Sequence, residues 1–208
     1  LVVNQGGVRG FDSPFVVGMI ALFIVSVPVL TWSQRRSARP ILEFALFKRA
    51  PFSIGLGVQM CHYLALGAIL LLAPFYFIDA LGFSATRMGL FITAHTLART
   101  FLAPFSGWLS DKTGAALPTG FGLLVLAAAL LWLSRLGTGS GEVSILASLM
   151  LIGVGSAFFE PPNTSSIMGS VPRDRLGTAS AAVASGRQIA FAIGVALAGA
   201  IFTVRERA

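Results

Sequence analysis

The sequence predicts an all-α, polytopic membrane helix bundle with about six transmembrane helices. Hydrophobic residues make up 55% of the 208 residues and charged residues make up 11%. That charged share is about half that of an ordinary soluble domain. Basic residues cluster at the ends of long apolar runs, where they set topology and contact lipid headgroups. The net charge of +7 therefore indicates a lipid bilayer as partner and not nucleic acid.

The first two apolar runs have the length that a bilayer requires. The run from Pro14 to Trp32 is close to the roughly 20 residues of a single span. An arginine-rich stretch follows it, and then a short interfacial linker up to Ala50 in which apolar and charged residues alternate. The second run, 52–78, is long enough to cross the bilayer at a tilt.

Four more helices are predicted at 87–110, 117–134, 143–170 and 177–203. The third helix carries two basic groups four positions apart on one face, and the fourth is apolar all round, as expected of a packing and lipid-facing element. The fifth and sixth form a predicted hairpin, because only a short polar loop separates them.

Four helices carry a titratable group at a similar predicted depth. His62, Arg99, Glu160 and Arg187 lie ten or eleven positions from the chosen cytoplasmic ends of their helices. At 1.5 Å per residue this places them about 15 Å deep, near the bilayer midplane. A lone charge there costs about 2.5–3.5 kcal/mol even on lenient insertion scales. We therefore expect Glu160 and Arg187 to face the protein interior as a pair.

Two interpretations of this polar layer stay open. In the structural one, Glu160 and Arg187 satisfy each other and hold their two helices together. In the functional one, Glu160, Arg187, Arg99 and His62 line a path for substrate or protons, because ionisable groups inside a membrane commonly mark such pathways. For the histidines, hydrogen-bonded packing is the favoured interpretation, since neutral imidazole is buried more cheaply than a charge.

Backbone signals add two expectations about the predicted hairpin. Pro161 and Pro162 remove two backbone donors, which predicts a break in the fifth helix at a place that faces protein or water. Small residues recur every four positions along the sixth helix, which predicts close packing of another helix, especially at Gly186 and Gly194.

No catalytic residue, metal site or cofactor is predicted. No nucleophile and base are arranged together, and no phosphate-binding loop of the Walker type is present. Cys61 is the only cysteine, so an internal disulfide and an all-cysteine metal cage are excluded, and we expect it to be a small buried apolar residue. Adjacent Cys61 and His62 point to different faces of one helix, which argues against a mixed metal site.

The loop after the third helix carries a recognisable motif. The stretch Gly107–Gly114 resembles the G-x-L-x-D-[RK]-x-G signature of major facilitator superfamily transporters. The resemblance implies that Gly107, Asp111, Lys112 and Gly114 belong to a cytoplasmic gate between inward-facing and outward-facing states. The signature normally continues with basic residues, and here two alanines stand instead, which predicts a weaker latch.

The rest of the chain is similar to the fourteen-span drug:proton antiporter branch of that superfamily. The similarity rests on the paired glycines before Pro161, on the loop around Pro172 and on the region of Arg187 and Gly194. It implies that residues 1–50 hold an extra central helix and a basic cytoplasmic linker. Residues 51–208 would then be the first five helices of the C-terminal six-helix bundle, a partial half of the fold whose partner is the missing N-terminal half of the parent chain.

The resemblance implies a secondary active transporter in the bacterial inner membrane that exports hydrophobic or cationic drugs by alternating access. Its small-molecule substrate would move in exchange for protons, and proton coupling is carried over from the family alone. Alternatives are an exporter of a native metabolite or siderophore, or a truncated inactive fragment. A membrane-embedded enzyme or a sensor is the alternative of a different class.

Overall fold

The computed structural model describes residues 44–206 and five isolated positions inside the first predicted span. Those five positions, Pro14, Gly18, Ala21, Val25 and Pro28, are helical. The rest of the first predicted span and the basic stretch after it lie outside the described residues. All five other predicted helices fall within them.

The described chain is all-α, and residues 44–206 contain no strand. Its helices are α1 (Phe44–Phe47), α2 (Ala50–Pro74), α3 (Ala85–Thr113), α4 (Ala116–Leu133), α5 (Glu142–Gly169) and α6 (Leu176–Glu206). A π-helical segment, Phe75–Ala80, continues α2, and a 3-10 turn, Arg173–Arg175, precedes α6. The predicted bundle of long helices is confirmed, with ends displaced by only a few residues.

Most of these helices are suited to a bilayer. Four segments of the described chain are long and apolar enough to cross a membrane, namely Ala50–Ala80, Ala116–Leu133, Glu142–Gly169 and Arg173–Val204. Helix α3 has 29 residues, more than a span needs, but carries more polar groups. Large apolar side chains are exposed along the outer surface, as at Phe101 (75%) and Leu124 (73%). The chain is an integral membrane helix bundle.

Local signals in the sequence set the two ends of α3. The Ser84 hydroxyl accepts a hydrogen bond from the backbone N–H of Arg87 at 3.3 Å and so caps the first turn. At the other end Gly114 adopts φ +82°, ψ 160°, a backbone conformation essentially restricted to glycine. The helix therefore ends at the last glycine of the gate motif.

The chain divides into two compact units. Unit 1 comprises residues 44–72 and 171–206 of the described part, and unit 2 comprises residues 73–170. Unit 1 contains most of α2 together with α6. Unit 2 contains α3, α4 and α5.

In unit 2, α5 packs closely against both of its neighbours. A Cβ atom added at Gly153 would meet the backbone oxygen of His95 on α3. A Cβ atom at Gly155 would lie 2.8 Å from the backbone nitrogen of Leu126 on α4, and one at Gly122 would lie 2.7 Å from the backbone oxygen of Gly155. Gly153 and Gly155 therefore serve two different helix contacts.

In unit 1, the small-residue face of α6 packs on α2. A Cβ atom at Gly194 would meet the backbone of Leu64, with the Leu64 Cα at 3.0 Å. One at Gly67 of α2 would meet the backbone of Phe191, with its carbonyl carbon at 3.1 Å. Gly186 lies against Leu56, whose Cδ1 is 3.0 Å from the added Cβ. The two helices approach at backbone distance along this face.

The predicted break at Pro161 and Pro162 is wrong. Helix α5 runs without interruption from Glu142 to Gly169 and includes both prolines. Two backbone donors are missing, but this stretch is enclosed by protein, with Phe159 fully buried and Pro162 below 2% exposed. Packing of the neighbouring residues against the rest of unit 2 keeps the backbone helical, although two backbone hydrogen bonds are missing.

Candidate functional site

The central polar feature of unit 2 is an ion pair between α3 and α5. Arg99 donates a hydrogen bond from Nη2 to Oε2 of Glu160. The Glu160 side chain is 9% exposed, whereas that of Arg99 is 38% exposed. The carboxylate is thus enclosed, while the guanidinium keeps contact with its surroundings.

The close packing of α3 on α5 makes this pair possible. Gly153 admits the backbone of His95, and it also brings Ala98 to 3.0 Å from the position of a Cβ. Arg99 follows His95 by one turn and Glu160 follows Gly153 by about two turns. A second ion pair, Arg87 to Glu142 at 2.5 Å, joins the N-terminal ends of the same two helices, which therefore run parallel.

Electrostatics make the pair interdependent. Removing one partner of a buried ion pair leaves an uncompensated charge and costs about 3–5 kcal/mol. Helix α4, which also packs on α5, has no titratable residue between 116 and 133. Among the residues of α3, Arg99 is the one that supplies the hydrogen-bonded positive charge.

Further polar groups share the helix face of Glu160. Ser156 lies one turn before it and Asn163 one turn after it, and the two are 0% and 5% exposed. The hydroxyl groups of Ser156 and of Ser106 on α3 have no hydrogen-bond partner among the described residues. The interior of unit 2 is therefore polar along this face of α5.

Arg187 and His62 belong to unit 1. Arg187 Nη1 lies 3.5 Å from the hydroxyl oxygen of Tyr63, and its guanidinium carbon lies 5.7 Å from the centre of the Tyr63 ring. His62 is 3% exposed and its ring meets the Tyr63 ring edge to face, with centroids 5.4 Å apart. The expected pairing of Glu160 with Arg187 would join the two units, and it stays a prediction.

Sequence reasoning missed two partners in these clusters. Arg99 was expected only to line the path, yet it bonds Glu160 directly. Tyr63 received no role, yet it contacts Arg187. The available signal was Gly153, because a glycine in a transmembrane helix marks the place where a neighbouring helix approaches closely.

The gate motif occupies the exposed C-terminal end of α3. The Lys112 ammonium lies 4.3 Å from the centre of the Trp108 ring. The Phe105 ring stacks on Trp108, with the two centroids 5.6 Å apart. Asp111 and Gly114 are exposed. A Cβ atom at Gly107 would meet nothing within 4 Å. The assignment of these residues to a gate stays a prediction.

The expectation that Cys61 is buried is wrong, because this cysteine is exposed on α2. A free cysteine behaves as a small apolar group, so an exposed position on a membrane helix does not leave it unsatisfied. Among the described residues no group of three or more potential metal ligands comes together.

Comparison with known proteins gives a family match over most of the chain. The model of the Major Facilitator Superfamily matches residues 55–205. The chain is 32% identical over 158 residues to the uncharacterized transporter YebQ of Escherichia coli, which covers 76% of this chain and 35% of that protein.

Two further relatives match almost the whole chain. Riboflavin transporter RibZ of Clostridioides difficile is 28% identical over 204 residues, which are 97% of this chain and 43% of that protein. Multidrug resistance protein Stp of Mycobacterium tuberculosis is 28% identical over 199 residues, 96% of this chain and 37% of that protein. The chain thus spans less than half the length of these relatives. With the all-α membrane bundle and the match over residues 55–205, the chain belongs to the major facilitator superfamily.

Proposed function

We propose that the chain is part of a secondary active transporter that exports hydrophobic or cationic compounds in exchange for protons. The observation that carries the proposal is the ion pair of Arg99 and Glu160, enclosed between two long helices of unit 2. Charged groups inside a membrane are costly and are commonly retained where substrate or protons move. The name of the relative Stp, a multidrug resistance protein, supports drugs as substrates.

Glu160 is the proposed proton-binding group of this cycle. When a proton bonds to its carboxylate, the negative charge is lost and the ion pair with Arg99 is broken. Arg99 keeps its positive charge, because guanidinium does not deprotonate in proteins. The enclosed pair then changes from net neutral to net positive, and this change can favour one conformation of the transporter over another.

Transport by alternating access requires the helix bundles to open towards each side of the membrane in turn. We assign the cytoplasmic gate to Gly107, Asp111, Lys112 and Gly114, on the basis of the motif. Residues 1–50 are assigned to an extra central helix with its basic linker, and residues 51–208 to the first five helices of the C-terminal bundle. In this assignment the N-terminal bundle of the same transporter supplies the opposite wall, and the bacterial inner membrane is its location.

A native metabolite is the second candidate substrate. The chain is similar over 97% of its length to RibZ, whose name assigns it riboflavin.

The variant Glu160→Gln tests the proposal. It keeps the size of the side chain and removes its charge and its ability to release a proton. In cells that express the complete transporter, we expect it to abolish energised efflux of ethidium while the amount of protein in the membrane changes little.

Glu142→Gln is the matched control, because Glu142 also pairs with an arginine of α3 but is half exposed. We expect this variant to retain most of the efflux. Equal efflux by wild type and Glu160→Gln at equal protein level would reduce Glu160 to a packing residue.

A further inference from the structure

His95 on α3 carries a buried ring nitrogen without a hydrogen bond. Its Nε2 atom is enclosed and has no partner among the described residues, although the side chain as a whole is only half-buried. A buried polar atom that has lost its bonds to water without replacement destabilises the folded state. In native proteins an ordered water molecule commonly satisfies such an atom.

A hydroxyl group on α5 has the same deficit. The Ser156 side chain is 0% exposed, and its Oγ atom has no hydrogen-bond partner within residues 44–206. Ser148, equally buried on the same helix, donates to the backbone oxygen of Ile145 at 2.7 Å. A serine in a helix can form this bond to its own preceding turn, and Ser156 does not. Its hydroxyl group therefore stays available to a partner outside the helix.

Both groups lie beside the ion pair of Arg99 and Glu160. His95 precedes Arg99 by four residues on one face of α3, and the two side chains are close enough to interact electrostatically. Ser156 precedes Glu160 by four residues on α5. Because α3 and α5 run parallel and Arg99 bonds Glu160, both groups are displaced from the pair in the same direction. That direction leads away from the gate motif and, in the proposed orientation, towards the outer side of the membrane.

The close packing of α3 on α5 places the two groups in one helix contact. Gly153, three residues before Ser156, admits the backbone of α3 at His95, and the Cβ atom of Ala98 lies 3.0 Å from the position of an added Cβ. Either tautomer of a neutral imidazole offers a donor or an acceptor at Nε2, and a hydroxyl group offers both. A buried water molecule makes about three hydrogen bonds. The ring, the hydroxyl group and the carboxylate of Glu160 can supply them.

We infer that His95 is a positioning residue for proton transfer, whose Nε2 atom holds, together with the Ser156 hydroxyl group, the water that delivers a proton to Glu160. In the transfer step a proton from the outer side bonds to the oxygen of this water, and another proton leaves that oxygen for the carboxylate. The water is thereby regenerated, and the carboxylate becomes a neutral carboxyl group. The imidazole acts only as a hydrogen-bond partner. The inference rests on the proposed proton-coupled transport and adds the route by which Glu160 is reached.

The test separates proton transfer from substrate movement in the complete transporter, reconstituted in proteoliposomes. The first assay measures ethidium transport driven by a pH gradient. The second measures exchange of radiolabelled for unlabelled ethidium at equal pH on both sides, which requires no net proton transfer. His95→Leu removes the hydrogen-bonding nitrogen, and His95→Gln keeps a side chain that can bond water. Thr96→Leu is the control, because Thr96 is an exposed neighbour on α3.

We expect His95→Leu to slow gradient-driven transport about tenfold, the change that follows from loss of one hydrogen bond to the transferring water. Exchange should stay within about twofold of wild type, which also shows that the variant is folded. His95→Gln should restore most of the driven rate, and Thr96→Leu should match wild type in both assays. Ser156→Ala is a second variant that adds no volume, and it should also slow driven transport while retaining exchange.

Three outcomes would overturn the inference. If His95→Leu and Ser156→Ala slow driven transport and exchange alike, the two side chains have only packing roles, although the proposed transport stands. If His95→Gln is as slow as His95→Leu, a hydrogen bond to water is not what this position supplies. If wild type exchanges ethidium but a pH gradient does not drive its transport, the inference fails together with the proton coupling of the proposed function.

Discussion

Arg99 and Glu160 lie on two parallel helices of one compact unit and share a hydrogen bond through Nη2 and Oε2. The pair does not depend on the loop that joins α5 to α6. It depends on Gly153, where α5 admits the backbone of α3. Within unit 2, Glu160 therefore pairs with a charge on the helix that packs against α5, although α3 does not directly precede α5 in the sequence.

The pair predicts a pattern of energies in a double-mutant cycle. Arg99→Ala should lower the free energy of unfolding by about 3–5 kcal/mol, because it leaves the enclosed carboxylate without its counter-charge. The double variant Arg99→Ala, Glu160→Gln should recover much of that loss, since no charge is left unpaired. Chemical unfolding in detergent measures both values. Additive losses would show that the two side chains do not interact.

The close contact of α4 and α5 at Gly155 predicts that adding a side chain at this position lowers the stability of the fold. In Gly155→Ala the new Cβ would lie 2.8 Å from the backbone nitrogen of Leu126, so α4 and α5 must move apart. Overpacking of this kind costs about 1–3 kcal/mol. The thermal unfolding midpoint should fall. Gly169→Ala in the same helix is the control, because its Cβ would meet nothing within 4 Å. A midpoint that falls equally in both variants would contradict the close crossing.

Gly194 predicts a similar effect in unit 1, at the face where α6 meets α2. Gly194→Leu places a side chain against the backbone of Leu64 and should reduce the yield of folded protein in the membrane. Gly177→Leu adds the same side chain in α6 at an open position. Size-exclusion profiles of the two variants after extraction measure the difference, and a normal profile for Gly194→Leu would exclude a tight α2–α6 contact.

The backbone conformation of Gly114 predicts that a side chain at this position strains the end of the gate motif. Gly114→Ala would hold a Cβ at φ +82°, ψ 160°, at a cost of about 1–3 kcal/mol. We expect lower stability, or a rearranged end of α3 with weaker transport. Gly120→Ala, about one turn into α4 at an open position, should be neutral or stabilising. Unchanged unfolding and transport in Gly114→Ala would mean that this backbone conformation is not required.

Most of the fold followed from hydrophobic run length. Spans of about 20 apolar residues fix where a membrane helix starts and stops to within a turn or so, and α4 at Ala116–Leu133 matches the predicted 117–134 closely. Length and composition do not report which helices become neighbours. The sequence therefore placed Glu160 and Arg99 at the same depth but did not pair them.

The errors have a common physical cause. Pro161 and Pro162 lack backbone donors whatever surrounds them, and a break was expected from this local property. The helix continues because enclosed neighbours hold it. Cys61 was expected inside from its residue type, although in a bilayer an apolar side chain is equally satisfied facing lipid. In this membrane protein, the packing around a residue therefore decides helix continuity and exposure more than the residue type does.

The greater exposure of the Arg99 side chain has an electrical consequence. If Glu160 is neutralised by a proton, the guanidinium remains as a full positive charge among the apolar spans. A charge that crosses the whole membrane potential gains about 2.3 kcal/mol per 100 mV. If Glu160 binds a proton as proposed, a step that then shifts Arg99 along the membrane normal moves a net charge through the membrane potential, so this step should depend on voltage.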